Sequence, residues 1–95
     1  MTDPRQQRIN MVESQVRPSD VTDRRILRAM LEVPREVFVP GPIRSLAYMD
    51  EAVPLAGSAN GGAMRYLMAP RTLAKLIQLA QIEPDATVLD VGCAS

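Results

Sequence analysis

The 95 residues predict an α/β chain in which a helical cover and a β-hairpin precede the first strand of an open parallel sheet. Three observations carry that expectation. Apolar residues recur at helical spacing in three segments, each opened by proline or by small polar residues. Two arms, Val53-Pro54-Leu55 and Arg65-Tyr66-Leu67-Met68, flank a stretch rich in Gly, Ser and Asn. The chain then closes on Val88-Leu89-Asp90-Val91-Gly92-Cys93-Ala94-Ser95, a short apolar run that reads as a buried parallel strand delivering Asp-x-Gly at its carboxyl end. Because the run stops where a glycine turn begins, the chain is expected to hold a site that is begun but not finished, with only the first strand of the sheet domain. The expected division is 1–69 for the helical and hairpin cap and 70–95 for the start of the sheet domain.

Pro4 suits the first turn of a helix reaching about Val16, with Ile9, Val12 and Val16 on its narrow apolar side. Pro18 interrupts it, and Ser19, Asp20 and Thr22 offer oxygens to cap a second helix running to about Leu31. Its buried face is expected to be Ile26, Leu27, Met30 and Leu31. Arg24, Arg25 and Arg28 read as a solvated face, with Asp20 and Glu32 each four residues from an arginine. Val33 precedes a proline and leaves helical geometry, and the turn after it presents Phe38, expected to anchor the core.

Pro40-Gly41-Pro42 breaks the chain before a short helical turn over Ile43 to Tyr48. Between the hairpin arms, Ala56 to Ala63 is expected to form a mobile tip, with Gly61-Gly62 free to take positive φ and Pro54 marking an edge arm. A phosphate cradle is the competing reading. It is disfavoured because no Gly-Lys-Ser/Thr follows and no apolar strand precedes. Pro70 opens the third helix, with Leu73, Leu76, Ile77 and Ala80 as the apolar face and Arg71, Lys75 and Gln78 outward, and Pro84-Asp85 turns the chain toward the last strand.

Composition narrows the chemistry. Lys plus Arg and Asp plus Glu both total 11, so no net positive field exists to hold nucleic acid. A single cysteine rules out an intrachain disulfide and makes cytoplasm the default compartment. No run approaches the length of a membrane span, and the polar start lacks the apolar core of a secretory signal. With no histidine, imidazole bases and His metal sites are excluded from these residues.

At the closing run, Gly92 lets the backbone approach a ligand, and Asp90 supplies an acceptor for ligand donors. Asp90 serves equally as a structural turn acceptor, and both readings stay open at this point. A dinucleotide site needs a Gly-x-x-Gly continuation that the sequence does not contain.

Arg24 to Pro40, containing Val-Pro-Arg-Glu-Val-Phe-Val-Pro, resembles the N-terminal segment of the protein-L-isoaspartate O-methyltransferases. Ala47-Tyr48-Met49-Asp50-Glu51-Ala52-Val53-Pro54-Leu55, the Pro70 helix and Val88-Leu89-Asp90-Val91-Gly92-Cys93 follow in that family's order. The resemblance implies a Rossmann-like methyltransferase sheet under an N-terminal helical cover. It implies S-adenosylmethionine as cofactor and, as partners, damaged proteins whose isoaspartyl carboxylates are methylated in protein repair. It places Asp90, Val91, Gly92, Cys93 and Ala94 at the cofactor and assigns no catalytic residue. Ala94 stands where the family usually has glycine. Tyr66, Leu67 and Met68 stand near the place where the family has Thr-Ile-Ser, whose serine helps to hold the acceptor, and a thioether cannot donate that hydrogen bond.

Two alternatives remain beside this reading: a divergent methyltransferase with another acidic acceptor, and a non-catalytic helical interaction fragment. As written, the truncated chain is expected to be inactive alone, to bind no S-adenosylmethionine measurably, and to self-associate through its uncovered strand.

Overall fold

The computed structural model describes residues 3–55 and 65–91. Helix α1 spans Pro4–Met11, with the Asp3 carboxylate accepting from the Arg5 amide at 3.1 Å to cap it. The helix continues as a π-helical segment, Val12–Val16, and a 3₁₀ turn, Arg17–Ser19. Two hydroxyls explain the loosening: Ser14 donates to the Asn10 carbonyl at 2.6 Å and Ser19 to the Gln15 carbonyl at 2.8 Å, both competing with backbone amides. Pro18, which has no amide, then ends the ladder. Asp20 bends the chain in the left-handed region at φ 66°, one of the few non-glycine residue types that tolerates it.

Helix α2, Arg24–Glu32, is capped by Asp23 and not by the expected Ser19, Asp20 or Thr22. Asp23 Oδ1 accepts from the Arg25 amide at 2.9 Å, and its other oxygen pairs with the Arg25 guanidinium at 3.0 Å. The earlier polar residues are otherwise engaged, Ser19 with Gln15 and Asp20 in its bend. Ile26 and Leu27 are buried and Met30 and Leu31 half-buried, as expected. Arg24 and Arg28 are solvated, as expected, but among the described residues the helix's ion pair is Asp23–Arg25, with no bridge to Asp20 or Glu32.

Two 3₁₀ turns follow, Arg35–Phe38 and Gly41–Leu46. Phe38 does not anchor the core, being 47% exposed. The tight turn directs Arg35 inward, and Val39, 2% exposed, takes the core position four residues later. Strands β1, Val53–Pro54, and β2, Tyr66–Leu67, pair antiparallel with Val53 opposite Leu67 and Pro54 opposite Tyr66. The hairpin arms therefore stand where expected, and the predicted tip lies outside the described residues.

Helix α3, Pro70–Ala80, begins with its proline at the first position and ends at Gln81, which takes φ 51°. Its buried side differs from the expected stripe: Pro70 and Ala74 are buried, Leu73 and Ile77 half-buried, while Leu76, Leu79 and Ala80 are exposed. Gln78, expected to face water, is half-buried and joins α3 to the entry of α2 through bonds to Asp20, Thr22 and Asp23. The core gathers Met11, Val12 and Val16 with Val21, Ile26, Leu27, Val39, Ala47, Tyr48, Val53 and Ala74. None of the described helices is long and apolar enough to cross a membrane.

The expected buried strand at Thr87 to Val91 is absent. The segment has no regular structure, and Val88, Leu89 and Val91 are exposed. A strand needs a neighbour for its amides and carbonyls, and the two described strands pair only with each other.

Candidate functional site

Two places in the fold hold the residues that the sequence singles out. The first is the segment after α3. Pro84 and Asp85 turn the chain, with the Ala86 amide donating to the Glu83 carbonyl at 3.0 Å, and the backbone then runs irregularly to Val91. Asp90 is exposed and takes part in no hydrogen bond or ion pair among the described residues, so its carboxylate is open to a donor-bearing ligand. Val91 is exposed beside it. Gly92, Cys93 and Ala94 lie outside the described residues.

The second is the passage from β2 into α3. Tyr66 and Met68 are exposed and Leu67 between them is half-buried, which is the alternation that a strand imposes. Arg65, also exposed, accepts at its carbonyl from the Leu55 amide at 2.7 Å. Pro70 is buried directly after them and fixes the start of α3.

Arg35 ties this passage to the rest of the fold. Its Nε donates to the Ala47 carbonyl at 2.5 Å and its Nη2 to the Met68 carbonyl at 2.7 Å. Burial pushes its guanidinium below the usual arginine value, with the neighbouring Tyr48 acting in the opposite sense. Arginine nevertheless stays charged at neutral pH. Around it Met11, Met30, Val33, Phe38, Leu67 and Leu73 line a small cavity of about 120 Å³. Composition and periodicity gave no reason to place an arginine here; the Val-Pro-Arg run was the available signal.

Beside Arg35, the Tyr48 hydroxyl donates to the Glu36 carboxylate. Arg8 approaches the other oxygen of Glu36 at 3.9 Å and donates to the Glu32 carbonyl at 3.4 Å. Burial and the Glu36 carboxylate push the Tyr48 hydroxyl up to about 12. Gln15 donates to the Tyr48 carbonyl at 2.8 Å, so the turn before β1 is held from both sides. Among the described residues no cluster of His, Cys, Asp and Glu is placed to bind a metal.

The model of the protein-L-isoaspartate(D-aspartate) O-methyltransferase family matches residues 6–95. The chain belongs to that family. The protein-L-isoaspartate O-methyltransferase of Aeropyrum pernix is 40% identical over 91 residues, which is 96% of this chain and 33% of that protein. The protein of the same name from Herpetosiphon aurantiacus is 37% identical over 90 residues, 95% of this chain and 38% of that protein. Protein-L-isoaspartate O-methyltransferase 2 of an Anaeromyxobacter species is 39% identical over 92 residues, 97% of this chain and 35% of that protein. The chain thus spans about a third of the length of the curated relatives it matches. As a member of the isoaspartyl methyltransferase family it supplies the helices, the hairpin and the residues leading to Asp90.

Proposed function

We propose that the chain is the front part of an S-adenosylmethionine-dependent carboxyl methyltransferase acting on isoaspartyl residues of damaged proteins. The family match over residues 6–95, a range that includes Asp90-Val91-Gly92, is the observation that carries this reading. In this reading residues 70–95 begin a Rossmann-like cofactor domain and 1–69 cover it.

Asp90 and the backbone of Val91, Gly92, Cys93 and Ala94 would hold S-adenosylmethionine. The chemistry of the described part fits: an exposed carboxylate with no partner among the described residues suits a ligand that carries an ammonium group and ribose hydroxyls. When bound, the cofactor supplies an electrophilic methyl group on a sulfonium. The acceptor carboxylate is already nucleophilic, so the protein's task is alignment and exclusion of water, with little acid or base work. The stretch 66–68 lies just before α3 at the place that corresponds to the family's acceptor-holding residues, and it meets the acceptor in this reading.

A second reading, methylation of a different acidic acceptor, is favoured by one observation. Met68 offers no hydroxyl, and its carbonyl is already engaged by Arg35. The decisive experiment grafts the chain in place of the matching segment of the Aeropyrum pernix relative. The chimera is then given labelled S-adenosylmethionine with an isoaspartyl peptide and with its aspartyl isomer. Base-labile label on the isoaspartyl peptide alone is expected. Label only on some other carboxylate compound selects the second reading, and a folded, cofactor-binding chimera that methylates nothing overturns both.

A further inference from the structure

Taking a guanidinium out of water is costly unless its donors find acceptors, so the groups that Arg35 meets reveal what its burial accomplishes. The partners are two backbone carbonyls from distant segments: Ala47, in the turn before β1, and Met68, at the exit of β2. Among the described residues no carboxylate pairs with Arg35. One rigid, planar fork therefore spans two stretches of chain, which a flexible point charge such as lysine cannot do with the same geometry.

The bond to Met68 fixes the plane of the peptide between Met68 and Ala69. Once that carbonyl is drawn inward, the alternation along β2 decides the rest: Leu67 lies against the cavity, and Tyr66 and Met68 face outward ahead of Pro70. We propose that Arg35 is the positioning residue for the methyl acceptor, holding the backbone of Met68 so that 66–68 presents one fixed surface before α3. This role rests on the reading above, in which 66–68 meets the acceptor. Arg35 touches neither acceptor nor cofactor in this arrangement and acts through the strand.

The test uses Arg35→Met and Arg35→Lys, with Tyr48→Phe as a control that removes a neighbouring hydrogen bond without touching β2. In the chain itself, hydrogen exchange at the Leu55 amide, bonded across the hairpin to Arg65, is read against the Leu27 amide at the start of α2. Arg35→Met is expected to speed Leu55 exchange about tenfold relative to Leu27, while Tyr48→Phe leaves the ratio unchanged. In the chimera, Arg35→Met is expected to raise KM for the isoaspartyl peptide about tenfold with kcat and KM for S-adenosylmethionine within about twofold, and Arg35→Lys is expected to recover part of the loss. A fall in kcat with acceptor KM unchanged, or an equal effect of Tyr48→Phe, overturns the role of Arg35 alone. An unmodified chimera that folds and binds S-adenosylmethionine but methylates nothing overturns the functional reading and the role with it.

Discussion

Replacing Gln78 by alanine should unlatch α3 from the entry of α2. The Gln78 side chain makes three bonds there: its Oε1 accepts from the amides of Thr22 at 2.8 Å and Asp23 at 3.0 Å, and its Nε2 donates to the Asp20 carbonyl at 3.0 Å. Each intramolecular bond contributes about 0.5–1.5 kcal/mol net, and those at exposed positions fall at the low end because water takes over, so the loss is about 2 kcal/mol. Alanine is the better helix former by a few tenths of a kcal/mol, which leaves a net cost of about 1.5 kcal/mol. At about 4–8 °C per kcal/mol for a domain of this size, Tm should fall by about 6–12 °C. Urea unfolding followed by circular dichroism should show the midpoint shifted and the slope unchanged. Leu79→Ala is the matched control, one residue along the same helix and 79% exposed, and should change stability by less than about 0.5 kcal/mol. If Gln78→Ala shifts the midpoint no further than Leu79→Ala, the three bonds do not couple the helices and the reasoning fails.

Four further outcomes are expected. Asp23 has its carboxyl held below the usual carboxylate value by the Arg25 side chain and amide. Its cap is therefore fully present above about pH 4 and is lost as pH falls through the lower folded value; the Tm gap between the natural chain and Asp23→Ala should close in acid, and a gap independent of pH would refute this. In a Tyr66→Phe background, absorbance titration should place ionisation of Tyr48 at about 12, with stability lost as pH climbs from the ordinary tyrosine value of about 10 toward it; a midpoint near 10 would show that neither the burial of this hydroxyl nor its Glu36 contact holds in solution. Gln81→Gly should stabilise by about 1 kcal/mol because φ 51° burdens a side-chain-bearing residue, and no gain in the thermal midpoint would count against that backbone geometry. The uncovered apolar side chains of Val88, Leu89 and Val91 should make the chain alone self-associate, and a sharp monomer in sedimentation at high concentration would oppose this.

What could be read from the sequence follows how local each cause is. The Pro70 helix and the hairpin arms were legible because proline at a first helical turn and β-prone residues around a glycine-rich stretch act within a few residues of themselves. The start of α2 was legible only to within a turn, since Ser19, Asp20, Thr22 and Asp23 all have capping chemistry and the choice is made by which of them is free. Phe38 shows a different limit: hydrophobicity says that a side chain gains from burial, but a 3₁₀ turn decides which residues face in, and here it chose Arg35 and Val39. Gln78 and Arg35 escaped because their partners are backbone groups up to 58 residues away, and a polar residue reads as solvent-facing until that partner is known.

The same distinction explains the candidate site. Asp90 was singled out by residue type and order alone, since Asp-x-Gly after an apolar run is a local pattern. Strand structure at Val88 to Val91 is not local, because its amides need a second strand to bond, and the described residues offer none to this segment. The motif and its geometry thus have separate origins. In the proposed reading the ligand-facing residue types are written into the chain, whereas the surface that would place them would come from strands laid beside it. A partner strand supplied in trans from a full-length relative should therefore bury Leu89 and protect its amide from exchange; a segment that stays exposed and unprotected with such a strand present would show that Val88 to Val91 is not the sheet's first strand.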